Sequence, residues 1–254
     1  PTTGETAILG VLSGTTAARR PVGYLPEDHR FPEYRTAEGL IHFYGTLSGM
    51  PSAALRTRTA ELLEQVGLSG AAQKKVRGFS KGMKQRLGLA QAMVHDPDVI
   101  FLDEPTDGVD PKGRAEIREV LSTLKQQGKT IFLNSHLLSE VEQICDRVGI
   151  LHQGVLVREG ATRELTRSEG SFVITTKPAP DEATLAALRE KVVALTCEGD
   201  SLEVQIERED DIDGVVDLLR SRSIGIRTLN GKKLTLEQVF LQVIGTEAAP
   251  GGAR

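Results

Sequence analysis

Residues 99–102, Val-Ile-Phe-Leu, are an apolar run that ends abruptly in Asp103-Glu104-Pro105, and no other stretch constrains the fold as strongly. Four apolar residues in a row make a buried strand, and two carboxylates stand at its C-terminal end. Open parallel α/β sheets bind their ligands in the crevice outside that end. A hard divalent cation takes oxygen ligands there, and a second carboxylate beside it can orient an attacking water. Taken alone, the same junction also reads as a buried strand ending in an acidic turn.

The neighbouring stretches separate the two readings. Upstream, Phe79-Ser80-Lys81-Gly82-Met83-Lys84-Gln85-Arg86 runs into an apolar helical stretch through Leu87, Ala90 and Val94. Downstream, Leu133-Asn134-Ser135-His136 closes another apolar strand. A Ser-x-Gly before a helix, a strand ending Asp-Glu and a strand ending Ser-His, in that order, resemble the ATP-binding subunit of an ABC transporter. The resemblance covers residues 1–165.

One part of that pattern is missing from the 254 residues. A P-loop reads G-x-x-x-x-G-K-[ST] and opens a helix whose N-terminal amides cradle phosphate. Gly128-Lys129-Thr130 imitates its end, but Thr123 stands where the first glycine belongs and the segment opens a strand. Gly10 and Gly14 have the wrong spacing and no following lysine. The family carries Pro-[Ser/Thr]-x-Gly-Glu soon after the P-loop helix, and this chain begins Pro1-Thr2-Thr3-Gly4-Glu5. The expectation is a sequence that starts just downstream of the P-loop.

The resemblance and the alternation of patterns predict an α/β fold. The resemblance implies a P-loop NTPase-like ABC ATPase core, without its first strands and P-loop, followed by a small α+β domain. Residues 1–20 read as a remnant and loop, and Val22–Leu25 as a strand. Residues 36–94 read as a mostly helical subdomain, with segments at 36–48, at 54–66 and after Ser80. Strand 98–102, helix 111–127 with proline in its first turn, strand 130–134, helix 137–145 and a hairpin over 147–151 and 155–158 complete the first domain, residues 1–165. Residues 160–170 are polar and read as a linker. The second domain, residues 166–245, alternates strands (172–176, 192–196, 202–206, 224–229) with helices (182–191, 212–220, 236–244). It resembles the extra C-terminal domain of bacterial ABC ATPases that work with ABC-2-type permeases. Its Leu236-Glu237-Gln238-Val239-Phe240 matches a Leu-Glu-x-x-Phe stretch found near the end of such subunits. Residues 246–254 read as a disordered tail.

Composition narrows the function classes. Net charge is −4, from 31 basic and 35 acidic residues, without a basic block, so nothing supports a nucleic-acid partner. Cys145 and Cys197 lie far apart without metal-ligand spacing and read as reduced cysteines of a cytosolic protein. No apolar run approaches the ~18–20 residues needed to cross a bilayer, so a transport function requires a separate membrane polypeptide.

The resemblance implies a role for each candidate residue. Ser80 and Gly82 match the signature loop that meets the γ-phosphate of ATP held by the opposite subunit, with Lys81 and Met83 in place of the usual Gly and Gln. A plain helix N-cap is the alternative for Ser80. Asp103 would hold Mg²⁺ through water, Glu104 would polarise the attacking water, and His136 would contact the γ-phosphate. Asp110 matches the loop that meets its counterpart across the dimer, with a simple helix start before Pro111 as the alternative. Glu27 stands where most members carry a glutamine linking the magnesium site to the region that touches the membrane partner. The implied partners are a membrane permease and a second ATPase subunit, at the cytoplasmic face of the inner membrane. The implied activity is ATP hydrolysis powering export. The alternative is an incompetent half-site subunit that acts as a binding or regulatory partner.

Overall fold

The computed structural model describes residues 3–247, apart from the side chains of 169, 209 and 245–247. Pro1 and Thr2 of the Pro-Thr-Thr-Gly-Glu match, and residues 248–254 of the expected tail, lie outside the described residues. The chain divides between Ile144 and Cys145 into two compact units, earlier than the boundary expected at residue 165.

The first unit opens with a short hairpin, β1 (Ala7–Ile8) and β2 (Val11–Leu12), and one helical turn, α1 (Thr16–Arg19). The expected loop over residues 1–20 is corrected accordingly. The Gly/Thr/Ala content that suggested a loop supplies the turn at Gly10, with φ +78, and the Thr15 hydroxyl that caps α1.

The remaining elements of this unit are β3 (Val22–Leu25), α2 (Ala37–Leu47), α3 (Ser52–Gln65), α4 (Lys81–Ala92), β4 (Val99–Asp103), α5 (Pro111–Gln126), β5 (Thr130–Asn134) and α6 (Leu138–Ile144). Strands β3, β4 and β5 form a parallel sheet in that order, in register Leu25–Leu102–Leu133. That row and Ile100–Ile131 face a core shared with the helices, where Leu40, Ile41, Leu62, Leu87 and Ile117 are fully buried. The opposite face carries a second row, Tyr24–Phe101–Phe132, with the two phenylalanine rings 5.5 Å apart. Helices α2, α4 and α5 each start on an oxygen cap. Thr36, Ser80 and Asp110 accept the amides of Gly39, Met83 and Gly113, which satisfies donors that a helix start leaves bare. Glycine lets the layers close: a Cβ at Gly23 would stand 2.3 Å from the Ala92 carbonyl oxygen.

The second unit begins with the hairpin β6 (Arg147–His152) and β7 (Val155–Ala161) and continues through α7 (Thr162–Leu165) directly into β8 (Arg167–Lys177). The expected linker over 160–170 is therefore corrected. Its polar residues are bonded inward: the Thr162 hydroxyl donates to the Cys145 carbonyl, and the buried Thr166 hydroxyl donates to the Thr162 carbonyl. Elements α8 (Glu182–Arg189), β9 (Ala194–Glu198), β10 (Ser201–Gln205), α9 (Ile212–Ser221) and β11 (Gly225–Lys233) complete an antiparallel sheet in the order β11-β8-β10-β9. This is the split β-α-β-β-α-β topology. Its core is built from Phe172, Ile174, Leu202 and Val204 against Leu188, Val215 and Leu219. The last helix, α10 (Leu236–Glu247), runs two residues into the expected tail. Among the described residues, no helix is long and apolar enough to cross a membrane.

Candidate functional site

Strands β4 and β5 run parallel, so their C-terminal ends lie side by side and bring residues 103–104 against residues 134–136. Alternation along β4 turns Asp103 to the face that carries Phe101, and its Oδ1 accepts the Asn134 amide at 2.7 Å. At Glu104 the backbone leaves the sheet with φ +48, in the left-handed region that non-glycine residues rarely occupy. Its N–H still donates to the Asn134 carbonyl at 2.9 Å, so the strained residue is held by the neighbouring strand.

The Glu104 carboxylate collects three donors. Oε1 accepts the His136 backbone N–H at 2.8 Å and faces His136 Nδ1 at 2.9 Å, while Oε2 accepts the Ser135 hydroxyl at 3.1 Å. The carboxylate side chain is only 12% exposed, whereas His136 is 63% exposed. The hydrogen bond to Glu104, and then the Glu104 charge, raise the imidazole above its ordinary value, with smaller contributions from Asp107 and Glu27. Glu27, exposed just beyond β3, thus acts on the site through its field. Gln85 on α4, 3% exposed, donates its amide to the Glu104 carbonyl at 3.2 Å and fixes the loop from below.

Ser80, Gly82 and Asp110 form a second group, at the starts of α4 and α5. Ser80 and Asp110 are the helix caps, as their alternative readings expected. Gly82 is a point of close approach: a Cβ there would stand 3.2 Å from Val109 Cγ1. A cavity of about 450 Å³ opens between the two helix starts, lined by Ser80, Lys81, Gly82, Asp110 and Lys112 among others. Sequence reasoning assigned no part to Gln85, Asn134, Ser135 or Asp107. The usable signals were a lone polar residue on the buried stripe of α4 and the run of polar residues that ends β5.

Among the described residues no three His, Cys, Asp or Glu side chains converge into a metal cage. This donor set still suits Mg²⁺, which keeps several waters and takes one or two carboxylates together with substrate phosphates.

A parallel sheet whose strand ends gather a carboxylate pair, beside a capped Ser-x-Gly helix start, is the ligand-binding arrangement of an open α/β protein. The comparisons with known proteins agree. The ABC transporter family profile matches residues 2–107. The chain is 36% identical over 254 residues to the Nod factor export ATP-binding protein I of Burkholderia orbicola, covering 97% of this chain and 81% of that protein. It is 36% identical over 241 residues to an uncharacterized ABC transporter ATP-binding protein of Synechocystis, covering 94% of this chain and 66% of that one. A solved ATP-binding subunit of an ABC transporter superimposes with a TM-score of 0.58 at 29% identity, over 65% of this chain and 70% of that chain. The chain belongs to the ABC transporter ATP-binding proteins, and over about 65% of its length it shares the fold of their P-loop NTPase domain. It spans 52% to 66% of the length of three of the curated relatives it matches.

Proposed function

We propose that this chain is the ATP-hydrolysing subunit of an ABC-2-type exporter, working on a separate membrane permease at the cytoplasmic face of the inner membrane. The carrying observation is the Glu104 carboxylate, held by Ser135 and His136 at the C-terminal edge of the parallel sheet. In this reading Asp103 would hold Mg²⁺, which when bound would supply charge neutralisation on the phosphates. Glu104 accepts a proton from the attacking water. His136 donates to the γ-phosphate through Nε2, the ring nitrogen that does not face Glu104. Ser80 and the α4 amides meet a nucleotide bound by a second ATPase subunit, Asp110 lies at the subunit contact, and Glu27 links the ion site to the helical region that meets the permease. Every residue of this scheme lies in the first unit; the second unit serves packing, dimer support or regulation.

The 254 residues contain no G-x-x-x-x-G-K-[ST]; the second reading is an incompetent half-site subunit that acts as a binding or regulatory partner in a heterodimer. Both readings place the phosphate cradle outside these residues. The purified 254-residue chain should therefore show no Mg²⁺-dependent ATP turnover above background. Turnover that disappears in Glu104→Gln would overturn this assignment.

A further inference from the structure

The loop from Glu104 to Asp110 is fastened to the start of α4 along its whole length. At one end Gln85 donates to the Glu104 carbonyl. At the other, Val109, 3% exposed, sits in a notch made by two glycines: a Cβ at Gly82 or Gly113 would stand 3.2 or 2.5 Å from Val109 Cγ1. Between these apolar and polar pins stands a charged one. Lys81 Nζ lies 2.8 Å from Asp107 Oδ2, and the lysine stem crosses Gly108 so closely that a Cβ there would meet Nζ at 2.1 Å. Gly108 has φ +61, so the turn under the lysine favours glycine. The same pairing with Lys81 lowers the Asp107 carboxyl below its ordinary value. Lys81 also stands where the family usually has glycine, so the general signature loop does not require a cation there.

We propose that Lys81 and Asp107 are positioning residues, whose ion pair straps the Glu104–Asp110 loop to the start of α4 and fixes the spacing between the Ser80–Gly82 turn and the Glu104 carboxylate. The strap stands on the geometry alone; its use, keeping a phosphate-facing turn and a water-polarising carboxylate in step, rests on the function proposed above. Because the pair is exposed, with the lysine 58% and the aspartate 43% accessible, it acts as a clasp on the loop rather than as a support of the fold.

Backbone amide exchange on the purified 254-residue chain tests the strap without nucleotide. The reporters are the Asp107 N–H, bonded to the Glu104 carbonyl, and the Val109 N–H, bonded to the Thr106 carbonyl. Lys81→Met keeps the stem over Gly108 and removes the charge; Asp107→Asn removes the other charge. Each should speed exchange at both amides about two- to fivefold, the range for an exposed ion pair. The double variant should exchange no faster than either single one, and the reciprocal pair Lys81→Asp with Asp107→Lys should restore the slow rate. Unchanged rates in the single variants, or effects that multiply in the double, would overturn the proposal. An absence of coupling leaves the hydrolysis reading standing, and a failed hydrolysis assay leaves the exchange result untouched.

Discussion

The two units solve the same problem, burying one face of a sheet under helices, and end with different chemistry. In the first, all three strands of the main sheet run the same way, so the turns after Leu25, Asp103 and Asn134 fall along one edge. Residues 31 positions apart in sequence, such as Asp103 and Asn134, then touch side by side. In the second, strand directions alternate, and each edge receives a mixture of strand starts and ends. The face of that sheet turned away from its core carries cross-strand pairs, Thr228 with Thr175 and Lys232 with Glu203, which tie strands together, and among the described residues no carboxylate cluster forms there. Parallel topology gathers functional groups, and antiparallel topology distributes them.

The largest effect that sharpens this contrast is in the cores. Leu202→Ala in the second unit and Ile100→Ala in the first, both fully buried, should each cost about 2–5 kcal/mol in urea unfolding. Ile100→Ala should in addition shift the His136 imidazole resonance, because it loosens the strand that carries Glu104. An unmoved resonance would break the link drawn between strand packing and site geometry.

A smaller effect comes from the cap. Ser80→Ala removes the acceptor of the Met83 amide and should cost about 1 kcal/mol. Asp181→Ala, the matching cap of α8 through the Thr184 amide, should cost about the same. Only the Ser80 change should also weaken any phosphate contact.

The subtlest effect is in pH dependence. His136 titrates above its ordinary 6.5 in the folded chain, so protonated His136 binds its proton more tightly folded than unfolded. The stability this contributes is fully present below pH 6.5 and is lost as pH rises through the raised folded value. His136→Gln should therefore lower the melting temperature below pH 6.5 and leave it unchanged well above the folded value. NMR titration of Glu104→Gln should bring the imidazole back down toward 6.5.

Sequence patterning recovers most of the architecture because burial writes itself in periodicity. The strand Thr130–Asn134 matches its expectation, and the helix start at Pro111 is announced by its proline and by the Asp110 cap. The failures lie where polar residues are satisfied internally. Thr162 and Thr166 look like linker residues and are bonded to carbonyls, and the glycines near the N-terminus make turns of a hairpin. At the site, the motifs locate Asp103, Glu104 and His136, but not the left-handed turn at Glu104 or the Gln85 amide beneath it. Those depend on which segments the sheet brings together, and no local pattern encodes that. Asp107 is likewise silent in sequence until Lys81 is seen opposite it.

On the proposed function, Glu104, as held by β5, is the hydrolytic base of a site whose phosphate cradle lies outside these residues. The most direct test is Mg²⁺-ATP turnover by this chain carrying a grafted N-terminal strand, P-loop and helix from an intact relative, with and without Glu104→Gln. Turnover in the graft, reduced by a factor of about 10²–10⁴ in the glutamine variant as for loss of a general base, is the predicted result. Turnover that is indifferent to Glu104→Gln would contradict this role of Glu104.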